Sequence, residues 1–266
     1  MRAWLSLRNA FFLLAASSVL AGCGWFGDTF TRTNDPAKMT ADQLYRQARE
    51  ALTSGSYADA IKLYESLESR FPYGIQAQQA ILDSAFAQYK LGERAQSVAS
   101  ADRYLKLYPQ GDGADYALYI KGLANFIEDL GLLSFIATQD LAERDQKAAR
   151  ESYATFKQLA EKYPSSRYHT DALQRMRYLV NALSMNEVHI ARYYFNRGAY
   201  QAAIARAQSS ITNFPHTPAN EEALRIIVRS QRALGNTQLA TDAERVFRAT
   251  YQAPLEPSKA PWWKIW

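Results

Sequence analysis

Chemistry in this chain would have to be built from one cysteine, three histidines and a scatter of paired carboxylates. Cys23 is the only cysteine in 266 residues. It has no partner for an internal disulfide, and one thiolate cannot supply the several protein ligands of a zinc site. His169, His189 and His216 stand far apart, without acidic or cysteine companions at metal-ligand spacing. Each reads as a helix-cap, surface or core residue. Glu128-Asp129 and Glu221-Glu222 fall where loops turn or helices begin, and there a carboxylate favours water or the positive end of a helix. The sequence contains no glycine-rich phosphate loop and no Gly-x-Ser-x-Gly elbow; Gly111-Asp112-Gly113 reads as a turn. These residues predict no enzyme, no metal site and no cofactor. What stands out is the place of Cys23, directly after an apolar run.

Residues 1–22 carry Arg2 and Arg8, no acidic residue, an apolar core over 11–20 and then the small residues Ala21 and Gly22. That is the order of a secretory signal, and a run of about 10 residues is too short for a membrane-spanning helix, which needs about 20. Leu20-Ala21-Gly22-Cys23 resembles the lipobox of bacterial lipoproteins. The resemblance implies cleavage after Gly22, a lipid (palmitate-type acyl chains) on the sulfur and new N-terminus of Cys23, and, with Gly24 rather than aspartate next, sorting to the outer membrane. One acyl chain binds a membrane only marginally, whereas two or more hold it stably. Residues 24–39 have no helical period, so 23–40 reads as a lipidated tether. Its Trp25, Phe26 and Phe30 suit either the lipid interface or packing on the domain behind.

The remaining sequence is organised by a repeat. Only 12 glycines and 9 prolines occur, too few for the frequent turns of an all-β fold. The formal charge of +5, without a run of five like charges, argues against a nucleic-acid partner. Aromatic-proline pairs recur at Phe71-Pro72, Tyr108-Pro109, Tyr163-Pro164 and Phe214-Pro215. Gly55, Gly92 and Gly198 each precede such an aromatic by 16 residues, and Gly235 precedes Tyr251 by the same 16. Gly55 to Gly92 and Gly198 to Gly235 are both 37 residues, a period that marks a solenoid.

Between these landmarks the apolar spacing is helical. Thr40 and Gln43 form a capping-box pattern, Leu44, Ala48 and Leu52 lie on one face, and Ala60, Ile61, Tyr64, Leu67 and Phe71 share a face of the next helix. Small residues recur five after each glycine (Ala60, Ser97, Ala203, Ala240, with Ser152 at the matching offset). Others stand seven before it (Ala48, Ala85, Ala191), with Val228 the exception. They mark where two helices approach closely. The pattern resembles the tetratricopeptide repeat and predicts an all-α, right-handed solenoid of about five helix pairs over 41–253, with units near 41–73, 77–110, 114–165, 168–216 and 219–251. The third and fourth are stretched. The 169–198 stretch reads as one long helix. The apolar 128–145 insertion is either core folded back on the solenoid or a partner contact. A Pro/Trp-rich tail, 254–266, completes the chain.

First-helix side chains not needed for packing would face a groove: Tyr45 and Arg49, then Phe86, Tyr89 and Lys90, then Tyr116, Tyr119 and Phe126. Aromatics with an occasional cation suit an extended, aromatic-rich peptide; the alternative is packing on neighbouring helices. In the tail, Trp262, Trp263 and Trp266, with Lys264, suit an anchor in a neighbouring subunit or the lipid headgroups, or a cap on the last helix pair.

Lipobox, tether and five such units in this order, with 191–217 (ARYYFNRGAYQAAIARAQSSITNFPHT) and EKYPSSRYHTDALQRM, resemble the BamD (ComL) family. The resemblance implies a non-catalytic lipoprotein on the periplasmic face of the outer membrane, within the β-barrel assembly machinery (BAM complex). Its partners would be the barrel-forming subunit, the other lipoproteins of that machinery, and unfolded outer-membrane proteins. The family's C-terminal repeats bind the barrel-forming subunit, which here implicates Arg192 and Arg197 along with the tail tryptophans. The competing reading is an envelope lipoprotein scaffold attached to peptidoglycan or assisting DNA uptake.

Overall fold

The computed structural model describes residues 36–126, 146–252, 254 and 255. Among them every regular element is helical: a 3-10 turn at Pro36–Lys38 and ten α-helices. These are α1 (Ala41–Thr53), α2 (Tyr57–Arg70), α3 (Ile75–Lys90), α4 (Arg94–Leu107), α5 (Ala114–Asn125), α6 (Gln146–Lys162), α7 (His169–Asn196), α8 (Tyr200–Asn213), α9 (Ala219–Ala233) and α10 (Thr237–Thr250). Consecutive helices pack as pairs, α1 on α2, α5 on α6, α7 on α8 and α9 on α10, the all-α repeat class expected. The chain divides into two compact units, residues 1–96 and 97–266, each described by itself.

In the first unit the capping box of α1 is complete. The Gln43 backbone N–H donates to Thr40 Oγ1 at 3.3 Å, and the Thr40 N–H donates to Gln43 Oε1 at 2.9 Å, so two end groups of the helix are satisfied reciprocally. Leu44, Ala48 and Leu52 face inward onto Ala60, Tyr64 and Leu67 of α2 and onto Ala77 and Ala80 of α3. Arg70 fastens the chain before α1, donating to the carbonyls of Pro36 and, at 2.9 Å, Met39. α3 packs on both α1 and α2.

The second unit repeats that rule: α9 packs on both α7 and α8. The small residues singled out by spacing are all buried: Ala48, Ala60, Ala85, Ser97, Ser152, Ala191, Ala203 and Ala240, with Val228 also fully enclosed. Helix axes can approach only where side chains are short, so these positions permit the close packing of α1 on α2, α5 on α6, α7 on α8 and α9 on α10. The turn glycines Gly55, Gly92, Gly198 and Gly235 all have φ between 75° and 84°, the left-handed conformation that ends a helix without Cβ strain.

The third pair carries Lys147, not glycine, 16 residues before Tyr163, and its crossing is close. A Cβ on Gly122 of α5 would lie 2.5 Å from the Phe156 ring of α6, and Ser152 Oγ donates to the Gly122 carbonyl at 2.8 Å. The fourth pair places its extra length in one helix. α7 has 28 residues against 14 in α8, and Pro164 to Pro215 exceeds the 37-residue period by 14. Fourteen residues are close to four turns at about 3.6 per turn. The inserted length therefore returns the buried stripe (Ala172, Leu179, Leu183, Ala191) to one face. A buried polar knot joins α7, α8 and α9. Ser184 Oγ meets Ser210 Oγ at 2.9 Å and Thr217 Oγ1 at 2.6 Å; Ser210 Oγ donates to Asn220 Oδ1 at 2.9 Å, and Asn220 Nδ2 to the Phe214 carbonyl at 2.8 Å. At the C-terminal end, Leu255 packs on Val228 and Phe247, and Arg225 donates to the Pro254 carbonyl at 3.2 Å. The first residues of the tail therefore cover the open end of the last pair.

Candidate functional site

Tyr45 and Arg49 are one helical turn apart on α1, and both turn toward α3, where Asp83 is buried. Tyr45 donates its hydroxyl to Asp83 Oδ2 at 3.2 Å, Tyr64 of α2 donates to the same oxygen at 3.1 Å, and Gln79 Nε2 donates to Oδ1 at 3.0 Å. Arg49 reaches both oxygens at 3.3 and 3.4 Å. The Asp83 side chain is 4% exposed and that of Arg49 46%. A buried carboxylate is tolerated when hydrogen bonds and a counter-charge meet it, and here three helices supply them. Burial, then the adjacent Asp83 charge, pushes the Tyr45 phenol up to about 12; the same two causes, in the same order, raise that of Tyr64. The Asp83 carboxylate is the chief cause holding the Arg49 guanidinium above its ordinary value.

Beside this hub a cavity of about 480 Å3 opens between α1 and α3, lined by Asp42, Tyr45, Arg46, Ile75, Gln76 and Gln79. Gln76 Nε2 donates to Asp42 Oδ1 at 2.8 Å across its rim. Ile75 is 80% exposed there, and Tyr73, in the turn before α3, is 91% exposed. Large apolar side chains so open to water are uncommon on a folded surface.

Phe86 is half-buried against the first-unit core, with its ring 6.5 Å from that of Tyr89; Lys90 is exposed. In the second unit, Tyr116 and Tyr119 of α5 stack on Tyr168 at 5.4 and 4.4 Å between ring centroids. Ser166, bonded to Asp115 Oδ2 at 2.6 Å, holds the turn that delivers Tyr168. Tyr119 donates to Asp171 Oδ2 at 2.8 Å, Arg175 Nε donates to the same oxygen at 2.6 Å, and the Arg175 guanidinium lies 4.7 Å from the centre of the Phe126 ring. Burial, then the bond to Asp171, pushes Tyr119 up to about 12. Tyr116, Tyr119 and Phe126 are thus half-buried and engaged with α7 and the turn before it. For these three, the packing alternative describes their surroundings.

Arg192 and Arg197 lie exposed near the end of α7. Arg192 pairs with Glu222 at 3.4 Å, and Arg197 covers the Tyr193 ring at 4.8 Å. Gly22, Cys23, the 128–145 insertion and Trp262, Trp263 and Trp266 lie outside the described residues. Among the described residues no group of three or more His, Cys, Asp or Glu is placed to hold a metal ion. His216 takes a left-handed backbone at φ 63° in the turn before α9.

Spacing missed three contributors: Asp83, Tyr168 and Gly122. Asp83 was detectable as the one charge inside the small and apolar run of residues 80–87. Gly122 stands 13 residues after Pro109, as Ala85 stands 13 after Pro72. Nothing local marked Tyr168, because its partners are about 50 residues away.

Helix pairs with small-residue crossings define a helical-repeat protein. The sequence model of the family YfiO, described as an outer membrane lipoprotein, matches residues 37–246. A protein of Neisseria meningitidis serogroup A / serotype 4A (strain DSM 15465 / Z2491), named outer membrane protein assembly factor BamD, is 39% identical over 266 residues. The match covers 98% of this chain and 100% of that one. The protein of that name from Xylella fastidiosa (strain Temecula1 / ATCC 700964) is 33% identical, over 92% of this chain and 82% of its own. The chain belongs to this family, the BamD family of outer membrane lipoproteins, whose members are assembly factors and not enzymes. Among solved structures, a kinesin light chain of Podosopora anserina with nearly identical TPR-like repeats gives a TM-score of 0.38 at 11% identity, covering 81% of this chain and 96% of its own. That likeness is too slight to argue from.

Proposed function

We propose that this chain is a lipid-anchored scaffold of the β-barrel assembly machinery on the periplasmic face of the outer membrane. Its first unit takes aromatic-rich segments of unfolded barrel proteins, and the exposed end of α7, with Arg192 and Arg197, meets the barrel-forming subunit. The observation that carries the reading is the cavity between α1 and α3 with Ile75 exposed in its lining and Tyr73, two residues earlier in the chain, open to water. Aromatic and aliphatic side chains of an extended peptide would bury that apolar rim, at roughly 25 cal/mol for each Å2 removed from water. The relatives' name, outer membrane protein assembly factor, agrees with this role. Cys23 carries the lipid in this proposal, and the tail tryptophans supply a further contact to a subunit or to headgroups.

Depletion of the chain from its cell tests the function. Loss of many outer-membrane barrels at once is expected, and normal barrel levels would overturn the reading. In the same cells Cys23→Ser is expected to leave the membrane fraction; normal outer-membrane anchoring of that variant would remove the lipid from the proposal.

A further inference from the structure

The residues around the cavity pose a question of charge. Two of its lining side chains, Asp42 and Arg46, are of opposite sign. Arg49, one turn beyond Tyr45, would add a second cation, but Asp83 holds it at 3.3 Å. The same carboxylate takes the Tyr45 hydroxyl and the Gln79 amide, two groups that line the cavity, while Tyr64 secures it from behind at 3.1 Å. Asp83 does not itself line the cavity. It acts on what enters through Tyr45 and Gln79, which line the cavity, and through the charge of Arg49 one turn beyond Tyr45.

We infer that Asp83 is the specificity-determining residue of the first-unit cavity: by cancelling Arg49 and fixing Tyr45 and Gln79, it makes the site read neutral aromatic segments and refuse acidic ones. The inference rests on the peptide-binding role proposed above. Discrimination of this kind comes from removing an attraction for the wrong ligand as much as from contacts to the right one. In Asp83→Asn, Arg49, half-exposed and one turn from the lining residue Tyr45, keeps an uncompensated charge that a peptide running past the cavity would meet. Tyr45 and Gln79 then keep only a weaker, amide acceptor. Affinity for aromatic segments falls and affinity for acidic ones rises.

Two labelled peptides test this on the full-length chain by fluorescence anisotropy. One alternates aromatic and neutral polar residues, and the other is identical except that glutamates replace two of the polar residues. The wild-type chain is expected to prefer the neutral peptide. Asp83→Asn is expected to shift the ratio of the two Kd values toward the acidic peptide by about fivefold, the scale of one half-exposed charge pair. It should also steepen the salt dependence of acidic-peptide binding, since the freed charge is screened by salt. Tyr64→Phe removes one buried donor to the same carboxylate without touching the cavity; it should lower Tm and leave the ratio within about twofold. A ratio unchanged in Asp83→Asn, or an equal shift in Tyr64→Phe, overturns the assignment while leaving the cavity a peptide site. Binding of neither peptide by the wild-type chain overturns the peptide site and this assignment together.

Discussion

Asp83 and Asp171 each accept a tyrosine hydroxyl and an arginine, one in each unit, but their settings differ. The Asp83 side chain is 4% exposed and takes four donors from three helices. The Asp171 side chain is 41% exposed, accepts Tyr119 and Arg175, and stands at the edge of a column of stacked rings. In the first unit the first-helix residues are ordered chiefly by a buried charge; in the second, ring contacts share that work with a half-exposed Asp171–Arg175 pair. Repeat positions that look interchangeable in sequence therefore have different sensitivities. A buried hub fails when one member is removed, because the others lose their partner away from water. A ring column at a wet edge degrades gradually.

Three measurements press on that contrast. The largest effect is expected from Asp83→Ala, about 3 kcal/mol by urea unfolding, because it strands the fully buried Tyr64 hydroxyl and leaves Arg49 uncompensated. Asp171→Ala should cost about 1 kcal/mol or less, since water can reach the groups it leaves; equal losses would break the comparison. Gly122→Ala comes next at about 2 kcal/mol. The new methyl would meet the fully buried Phe156 ring at 2.5 Å, whereas the first-unit crossing already accommodates a Cβ on both sides at Ala48 and Ala60. A neutral outcome would mean that the α5–α6 crossing is as tolerant as the α1–α2 one. The smallest effect appears only in alkali. Tyr45 and Tyr119 both hold their protons to about 12 in the folded chain, against an ordinary 10.0. Their folded values lie above the unfolded one, so this contribution is complete below about pH 10 and is lost as pH rises toward 12. Unfolding midpoints followed with tyrosinate absorbance should fall over that window in both units; stability that stays flat there would remove the tyrosine–carboxylate bonds from the account.

Much of the fold was legible because the repeat is punctuated by residues with backbone or steric consequences. Gly55, Gly92, Gly198 and Gly235 stand where the chain takes positive φ, and Thr40 with Gln43 closes the first helix end. The small residues five after and seven before each glycine are buried because a close crossing admits nothing larger. The candidate site was legible only in part. Periodicity placed Tyr45, Arg49, Tyr116 and Tyr119 on one side of their helices. It could not tell an open face from one already engaged, because Asp83 is 34 residues from Arg49 and Asp171 is 52 from Tyr119.

Local chemistry alone determined the helix ends, the turns, the pairing and the period, since each follows from a residue's own conformational range or from contacts within a turn or two. The third dimension decided which polar side chains share a partner. It brought Tyr45, Arg49, Tyr64 and Gln79 to one carboxylate, laid Tyr168 on two tyrosines from the preceding pair and left no room for a Cβ at Gly122 beside the Phe156 ring. Hydrogen bonds and ring contacts depend on distances of a few ångströms between residues far apart in the chain, and only packing sets those distances.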